Sequence, residues 1–387
     1  LFYSLNSPIF QKSVINSAGG SATPIINKQR WISLVIPLPP LAEQKRIVEK
    51  VNSLMVLLDE LEEKRERRNK KRIKLNNASL DKLLTSKDDK ELKTNWKRIE
   101  ENFSTLYSVP ENVEKLKQAI LQLAIQGKLT EQDPKDEPAS ELLKKIKKEK
   151  DKLIAEGIIK KQNELPPIKD EEKPFVLPKG WNWAYAANVT LLITDGEHVT
   201  PKRINYRDIP LATAKNIRDG FIDLRNTDFV SRETAEKSWL RCHPIYNDLL
   251  MVCVGATTGR LCLLKDATEM VLVRSVALLR PFEQTIYPEY FEIVVRNPNC
   301  QEQIWKQVKQ TAQPCLYINR MEQLKIPLPP LNEQKRIVEK VNELMSLCNA
   351  LEAKLTKKEE TAEKLVGAVV SAVANHNKPK DEKKLRT

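Results

Sequence analysis

Residues 36–64 read IPLPPLAEQKRIVEKVNSLMVLLDELEEK, and residues 326–354 read IPLPPLNEQKRIVEKVNELMSLCNALEAK. The two stretches agree at 22 of 29 positions, at a constant offset of 290. The pairing continues more loosely through KLNNAS (74–79) and KLVGAV (364–369). A match of that length does not arise from composition, so the chain is built from two related halves.

Both copies have one grammar. Pro39-Pro40 and Pro329-Pro330 end an extended segment, because a residue before proline is driven out of the α region. The second proline suits the first helical position, where its missing N–H costs nothing. Glu43 and Glu333 then fall in the first turn, where the helix dipole favours negative charge. Ile47, Val51, Leu54, Leu58 and Leu61 recur at spacings of 4, 3, 4 and 3. Ile337, Val341, Leu344, Cys348, Leu351 and Leu355 do the same, and Ala362, Leu365, Val369 and Ala372 carry the stripe past Lys358. Such a narrow seam fits a coiled coil better than a globular face. The simplest expectation is that the two seams pack on each other; self-association with a second chain is the competing use. Beyond its seam the first helix turns basic, with Lys64, Arg65, Arg67, Arg68, Lys70, Lys71, Arg72 and Lys74. That run reads as a solvated face, or as a surface for DNA backbone or subunit docking.

The stretch from 181 to 326 has a different character. Short β-type runs (TLLIT, DLLMVCVG, RLCLLK, MVLVRSVALLR) alternate with turn signals at Asp195-Gly196, Asp219-Gly220 and Gly255–Gly259. YFEIVVRNPNCQEQIWKQVKQTAQ reads as helical after Pro288. This is a mixed α/β domain, so the fold class is α+β with long helices. Between the halves, 86–100 reads as a polar connection, ENVEKLKQAILQLAIQGKLT as a helix with Gly127 as C-cap, and ASELLKKIKKEKDKLIAEG as a helix ending at Gly157. The proline-rich stretch 162–180 reads as an extended linker. NSP at 6–8 aligns with RNP at 296–298 at the same offset, so residues 1–40 read as the last part of a similar domain. The expectation is therefore a chain lacking most of a first globular domain.

Composition bounds the function. The 387 residues carry a net charge of +13, which favours a polyanionic partner. No apolar run approaches the ~20 residues that span a bilayer. LFYSLNSPIF has neither a basic n-region nor a small-residue cleavage site, so a cytoplasmic location is expected. Cys242, Cys253, Cys262, Cys300, Cys315 and Cys348 lack CxxC spacing and read as reduced, partly buried thiols. No GxGxxG, no GxxxxGK[ST] and no nucleophile elbow occurs, and three scattered histidines form no metal triad. No catalytic residue, metal or cofactor is expected. Base recognition, by contrast, needs Arg, Lys, Asn and Thr on loops. DGEHVTPKRINYR (195–207) offers His198, Thr200, Lys202 and Arg203, and ATAKNIRDG (212–220) offers Lys215, Asn216 and Arg218. Thr258, Arg260, Asn319 and Arg320 complete the candidates.

The order of a globular stretch, an IPLPPLxEQKRIVEKV helix, a second globular stretch and a second such helix resembles the specificity subunit of type I restriction–modification systems. LPKGWNWAYAANV (177–189), DGEHVTPKR and IPLATAKNIRDGFID (209–223) look like the opening stretches of its target-recognition domain. The resemblance implies a non-catalytic subunit whose recognition domains read double-stranded DNA, with two helices in an antiparallel coiled coil as spacer. Methyltransferase and restriction subunits would dock on that scaffold. On this reading 1–40 is the remnant of a first recognition domain and 41–85 the first conserved helix. A helical connector and linker (86–180), the second recognition domain (181–326), the second conserved helix (327–375) and a basic disordered tail (376–387) follow. The competing readings are a coiled-coil assembly protein without specific DNA binding, a non-functional gene fragment, a truncated product of a rearranged specificity gene, or a half-subunit that dimerises.

Overall fold

A computed structural model describes residues 1–19, 24–159, 165–309 and 313–376, with side chains through residue 368. The tail expected beyond His376, the seam side chains at 369 and 372, and parts of the linker and of QTAQPCLYINR lie outside the described residues. The chain divides into two compact units, residues 1–71 and 72–387.

The first unit contains α1 (Phe2–Leu5), α2 (Pro8–Ser17), α3 (Lys28–Ile32) and most of α4 (Leu41–Leu84). Pro8 occupies the first turn of α2, and the Ser7 side chain accepts from Phe10 N at 3.3 Å. Phe10, buried, meets Trp31 edge-on at 5.9 Å between ring centroids. Along α4 the seam residues Ile47, Leu54, Leu58 and Leu61 are exposed and Val51 is half-buried.

The second unit begins in the last turns of α4, where Leu80 and Leu83 enter a core. The stretch 86–100 is not a polar connection. It forms α5 (Asp89–Glu101), capped by the Asp88 side chain accepting from Glu91 N at 2.8 Å. Leu92, Asn95 and Ile99 face inward at helical spacing, a stripe too sparse to stand out among the charges. After α6 (Phe103–Leu106) come α7 (Pro110–Ile125) and α8 (Ala139–Ala155). Gly127 and Gly157 end α7 and α8 at φ of 67° and 71°, the left-handed conformation expected of C-caps.

Among the described residues four small sheets follow. β1 (Asn182–Tyr185) leads through α9 (Ala186–Val189) to β2 (Thr190–Asp195). Then come β3 (Ile209–Ala212), β4 (Ile217–Arg218), β5 (Phe221–Ile222), β6 (Asp228–Val230), α10 (Arg232–Trp239), β7 (Leu249–Val252) and β8 (Leu261–Leu263). MVLVRSVALLR is split into β9 (Val271–Leu272) and β10 (Val276–Pro281), which enter different sheets. The sheets run β2-β10-β7-β8, β6-β3-β9, β4-β5 and β1-β11, the last completed by β11 (Lys325–Leu328). All pairings are antiparallel except β3 with β9. The helix expected after Pro288 is two helices, α11 (Pro288–Arg296) and α12 (Pro298–Gln307). Asn297 precedes a proline, so it is extended, and its side chain caps α12 by accepting from Asn299 N at 2.9 Å. The four-residue α13 (Ile318–Met321) precedes β11.

α14 (Leu331–His376) is the second conserved helix, and α7 covers the start of its seam. Ile337 and Val341 are buried, while Leu344, Leu351 and Leu355 are partly buried against the same core. The two helices run antiparallel: Lys117 pairs with Glu352 at 2.6 Å, and Gln132, just after α7, reaches Glu333 at 3.1 Å. One core joins Ile120 and Ile125 of α7 to Tyr290 of α11 and Val341 of α14, so the connector is built into the domain. Among the described residues no helix is long and apolar enough to cross a membrane.

Candidate nucleic-acid interface

The four-stranded sheet has one end where β2 and β7 finish and β8 and β10 begin. Asp195 faces Ala277, Val252 faces Val276, and Met251 faces Leu261. The loops at this end are fastened to one another. Glu197 N donates to Leu272 O at 2.8 Å and Arg274 N to Glu197 O at 2.9 Å. Cys253 N donates to Ser275 O, Leu316 N to Cys253 O and Gly255 N to Pro314 O, each at 2.9 Å. Gly220 N donates to Leu261 O at 3.2 Å, which ties the β4–β5 hairpin to the same end. Gly196 permits the closest approach: a Cβ there would lie 2.2 Å from the carbonyl oxygen of Leu272.

The fold therefore brings most of the sequence candidates to one place. His198 Nε2 lies 3.0 Å from the Asp195 carboxylate, and Arg241 Nη2 lies 2.5 Å from the same group. Arg274, Tyr317 and Asn319 join them around a cleft of about 410 Å³. Thr200, Lys202, Lys215, Arg218 and Arg320 are exposed, and the four cations among them form no ion pair among the described residues. Arg203 is exposed and meets Asp228 at 3.2 Å; Arg260 is half-buried in the β7–β8 turn.

Two candidates are occupied in holding the loops. Asn216 is buried; its carbonyl accepts from Thr213 N and Oγ1 and its amide donates to Asp223 O, all at 2.9 Å. Thr258 is buried and donates to Gly255 O at 2.7 Å. Both polar groups are spent inside their turns, so these residues position neighbours rather than face a ligand. Sequence reading missed Arg241, Arg274, Tyr317 and Lys309, whose ammonium sits 5.6 Å from the Tyr317 ring. Arg274 looked like part of a strand; the available signal was the polar Arg274-Ser275 pair interrupting an apolar run.

The domain is anchored to α14 by its first turn. Glu333 is buried and accepts from Trp181 Nε1 at 2.8 Å and from Gln132 Nε2 at 3.1 Å. Burial pushes its carboxyl above the ordinary glutamate range against the pull of these donors. Asp136 meets Arg336 at 2.7 Å. Gln334 accepts from Tyr287 N at 2.7 Å and donates to the Thr285 and Pro329 carbonyls. All six cysteines are free thiols. Burial pushes Cys242, Cys253, Cys262 and Cys300 up to about 12, which removes thiolate reactivity at neutral pH.

A mixed domain with a loop-lined, cation-rich end, seated on a duplicated long helix, defines a class that comparison with known proteins makes explicit. The family model described as "Type I restriction modification DNA specificity domain" matches residues 1–69 and 202–360, and the chain belongs to this family. Among similar proteins, the type I restriction enzyme EcoAI specificity subunit of Escherichia coli is 33% identical over 97% of this chain and 64% of its own length. The EcoEI specificity subunit of the same organism is 31% identical over 88% of this chain and 58% of its own length. The chain thus spans about three fifths of these relatives. A solved chain described under "complex assembly and conformational transition of the type I R-M system" overlays with a TM-score of 0.47 and 18% identity, covering 93% of this chain and 66% of that one.

Proposed function

We propose that this chain is a DNA-recognition subunit of a type I restriction–modification complex, itself non-catalytic and cytoplasmic. In this reading residues 181–326 bind double-stranded DNA, while 41–85 and 327–375 form the scaffold for methyltransferase and restriction subunits. The observation that carries it is the convergence of separate polar loops on one sheet end, where Lys202, Lys215, Arg274 and Arg320 remain unpaired with acids among the described residues. Cations of this kind fix register on phosphates, and their neighbours His198 and Asn319 stand where base edges would be read. Residues 1–40 are proposed as the counterpart of the end of a recognition domain. The exposed stripe Leu54, Leu58 and Leu61 supports a helix-docking surface, for a methyltransferase subunit or a second copy.

The test is binding of the full chain to a random duplex pool at low salt, alone and with the methyltransferase subunits. Affinity should fall steeply with salt, and replacing Lys202, Lys215 and Arg274 together by alanine should flatten that slope by about three units of phosphate contact. Failure to bind either duplex or methyltransferase subunits would sink the reading. Unchanged DNA affinity after alanine substitution across 195–207 and 212–220 would favour the assembly-protein alternative. Sedimentation of the same samples decides between one copy and two.

A further inference from the structure

The β4–β5 hairpin projects from the loop-bearing end with a feature the sequence reading passed over. Its strands are two residues each, joined by Asp219-Gly220, with Gly220 at a φ of 87° that a side chain rarely adopts. Arg218 and Phe221 are direct partners across the pair, so their side chains project from the same face with Cβ atoms about 5 Å apart. Both are exposed, and Phe221 is 56% exposed. A single exposed apolar residue is ordinary. This one stands on a braced element, beside an arginine, at the cation-rich end of the sheet.

The bracing is specific. Asp223 N donates to Asn216 O at 2.8 Å, Asn216 Nδ2 returns a bond to Asp223 O at 2.9 Å, and Gly220 N holds Leu261 O. Ile222 and Leu224 pack on the second core cluster, so the hairpin base is fixed while its tip faces out. Beside the tip lies a shallow concavity of about 680 Å³ lined by Arg207, Asp208, Phe221, Asp223, Arg225 and Phe229. Arg225 closes on the Asp223 carboxylate through two bonds of 2.9 and 2.8 Å, holding that carboxyl well below the usual range. Asp223 is thereby neutralised, and Arg218 makes no ion pair of its own among the described residues.

We propose that Arg218 and Phe221 form one base-reading unit: Arg218 donates to O6 and N7 of a guanine, and Phe221 packs on the C5-methyl of a thymine in the adjacent base pair. The spacing supports this, because cross-strand side chains about 5 Å apart diverge little from the ~3.4 Å separation of successive base pairs. Guanine offers two acceptors to a guanidinium in the major groove, and the thymine methyl is the one apolar group there that suits a phenyl ring. The proposal rests on the DNA-recognition reading above and adds which bases this hairpin selects.

The experiment begins with duplexes enriched from a random pool by the full wild-type chain. Each thymine in the enriched sequence is then replaced by deoxyuridine, which removes only the methyl. Wild type should lose about four-fold in affinity at one thymine beside a guanine, the worth of one methyl group taken out of water. Phe221→Ala should be insensitive to that replacement, Phe221→Leu should keep part of it, and Arg218→Ala should relax the neighbouring guanine preference by about ten-fold. Unchanged melting temperatures would show that the variants fold. A flat uracil profile for wild type, or a profile that Phe221→Ala preserves, overturns the assignment while leaving DNA recognition standing. If wild type enriches no sequence at all, DNA recognition fails and this assignment falls with it.

Discussion

The two copies of the PLPPL helix carry nearly the same letters and the same local elements. α2 and α12, α3 and α13, and α4 and α14 begin at positions that differ by exactly the repeat offset. The isolated bridges Gly19–Ile25 and Lys309–Cys315 do so too. Even one side-chain bond is duplicated: Gln44 Nε2 donates to Pro39 O at 2.8 Å and Gln334 Nε2 to Pro329 O at 3.0 Å. Burial is where the copies part. Leu38 is 82% exposed and Leu328 fully buried; Ile47 is 42% exposed and Ile337 fully buried. The equivalent segments KIPL (325–328) and VIPL (35–38) part in the same way: the second copy is a strand because β1 supplies its hydrogen-bond partners, while the described residues of 1–71 form no strand. Caps, turns and helix starts are written locally, whereas strand and core status depend on what lies opposite.

That contrast makes predictions in pairs. Ile337→Ala should cost about 3 kcal/mol in denaturant unfolding, since it empties a packed site, and Ile47→Ala under about 1 kcal/mol. Equal losses would show that the first seam is as buried as the second. Gln334→Ala should cost about 2 kcal/mol, because Tyr287 N and Thr285 O lose their partner inside the protein. Gln44→Ala gives up one part-buried bond and should cost about 0.5 kcal/mol. The smallest effect concerns pH. Burial raises the Glu333 pKa, so the folded state holds its proton more tightly than the unfolded chain does. Its contribution is complete below the ordinary glutamate pKa and is lost as pH rises through the folded value. Glu333→Gln keeps an acceptor for Trp181 and should flatten the melting-temperature profile over that interval.

Much of the fold was legible because its signals are short-range. Pro40 and Pro330 mark helix starts, Gly127 and Gly157 mark helix ends, and TLLIT and DLLMVCVG announce β2 and β7. The failures also share a cause. α5 was lost among charges because only Leu92, Asn95 and Ile99 of its residues face a core. The single helix expected after Pro288 breaks at Asn297, where capping and the pre-proline restriction act together. At the interface, His198, Lys202, Lys215 and Arg218 could be named from residue type and loop position. Asn216 and Thr258 could not be separated from them, since a loop asparagine or threonine looks the same whether it faces solvent or ties its own turn. Arg241 and Arg274 were invisible because their neighbours come from distant segments.

The sequence alone determined the duplication, the two long helices, the mixed domain between them and the family they resemble, since repeats, capping residues and period are readable along one strand of text. Only the tertiary structure decided that α7 covers the seam of α14, that one IPLP is buried while its twin is not, and that five loops meet at one sheet end. Those outcomes depend on pairing partners far apart in the chain, and identical residues take different fates when the partner differs.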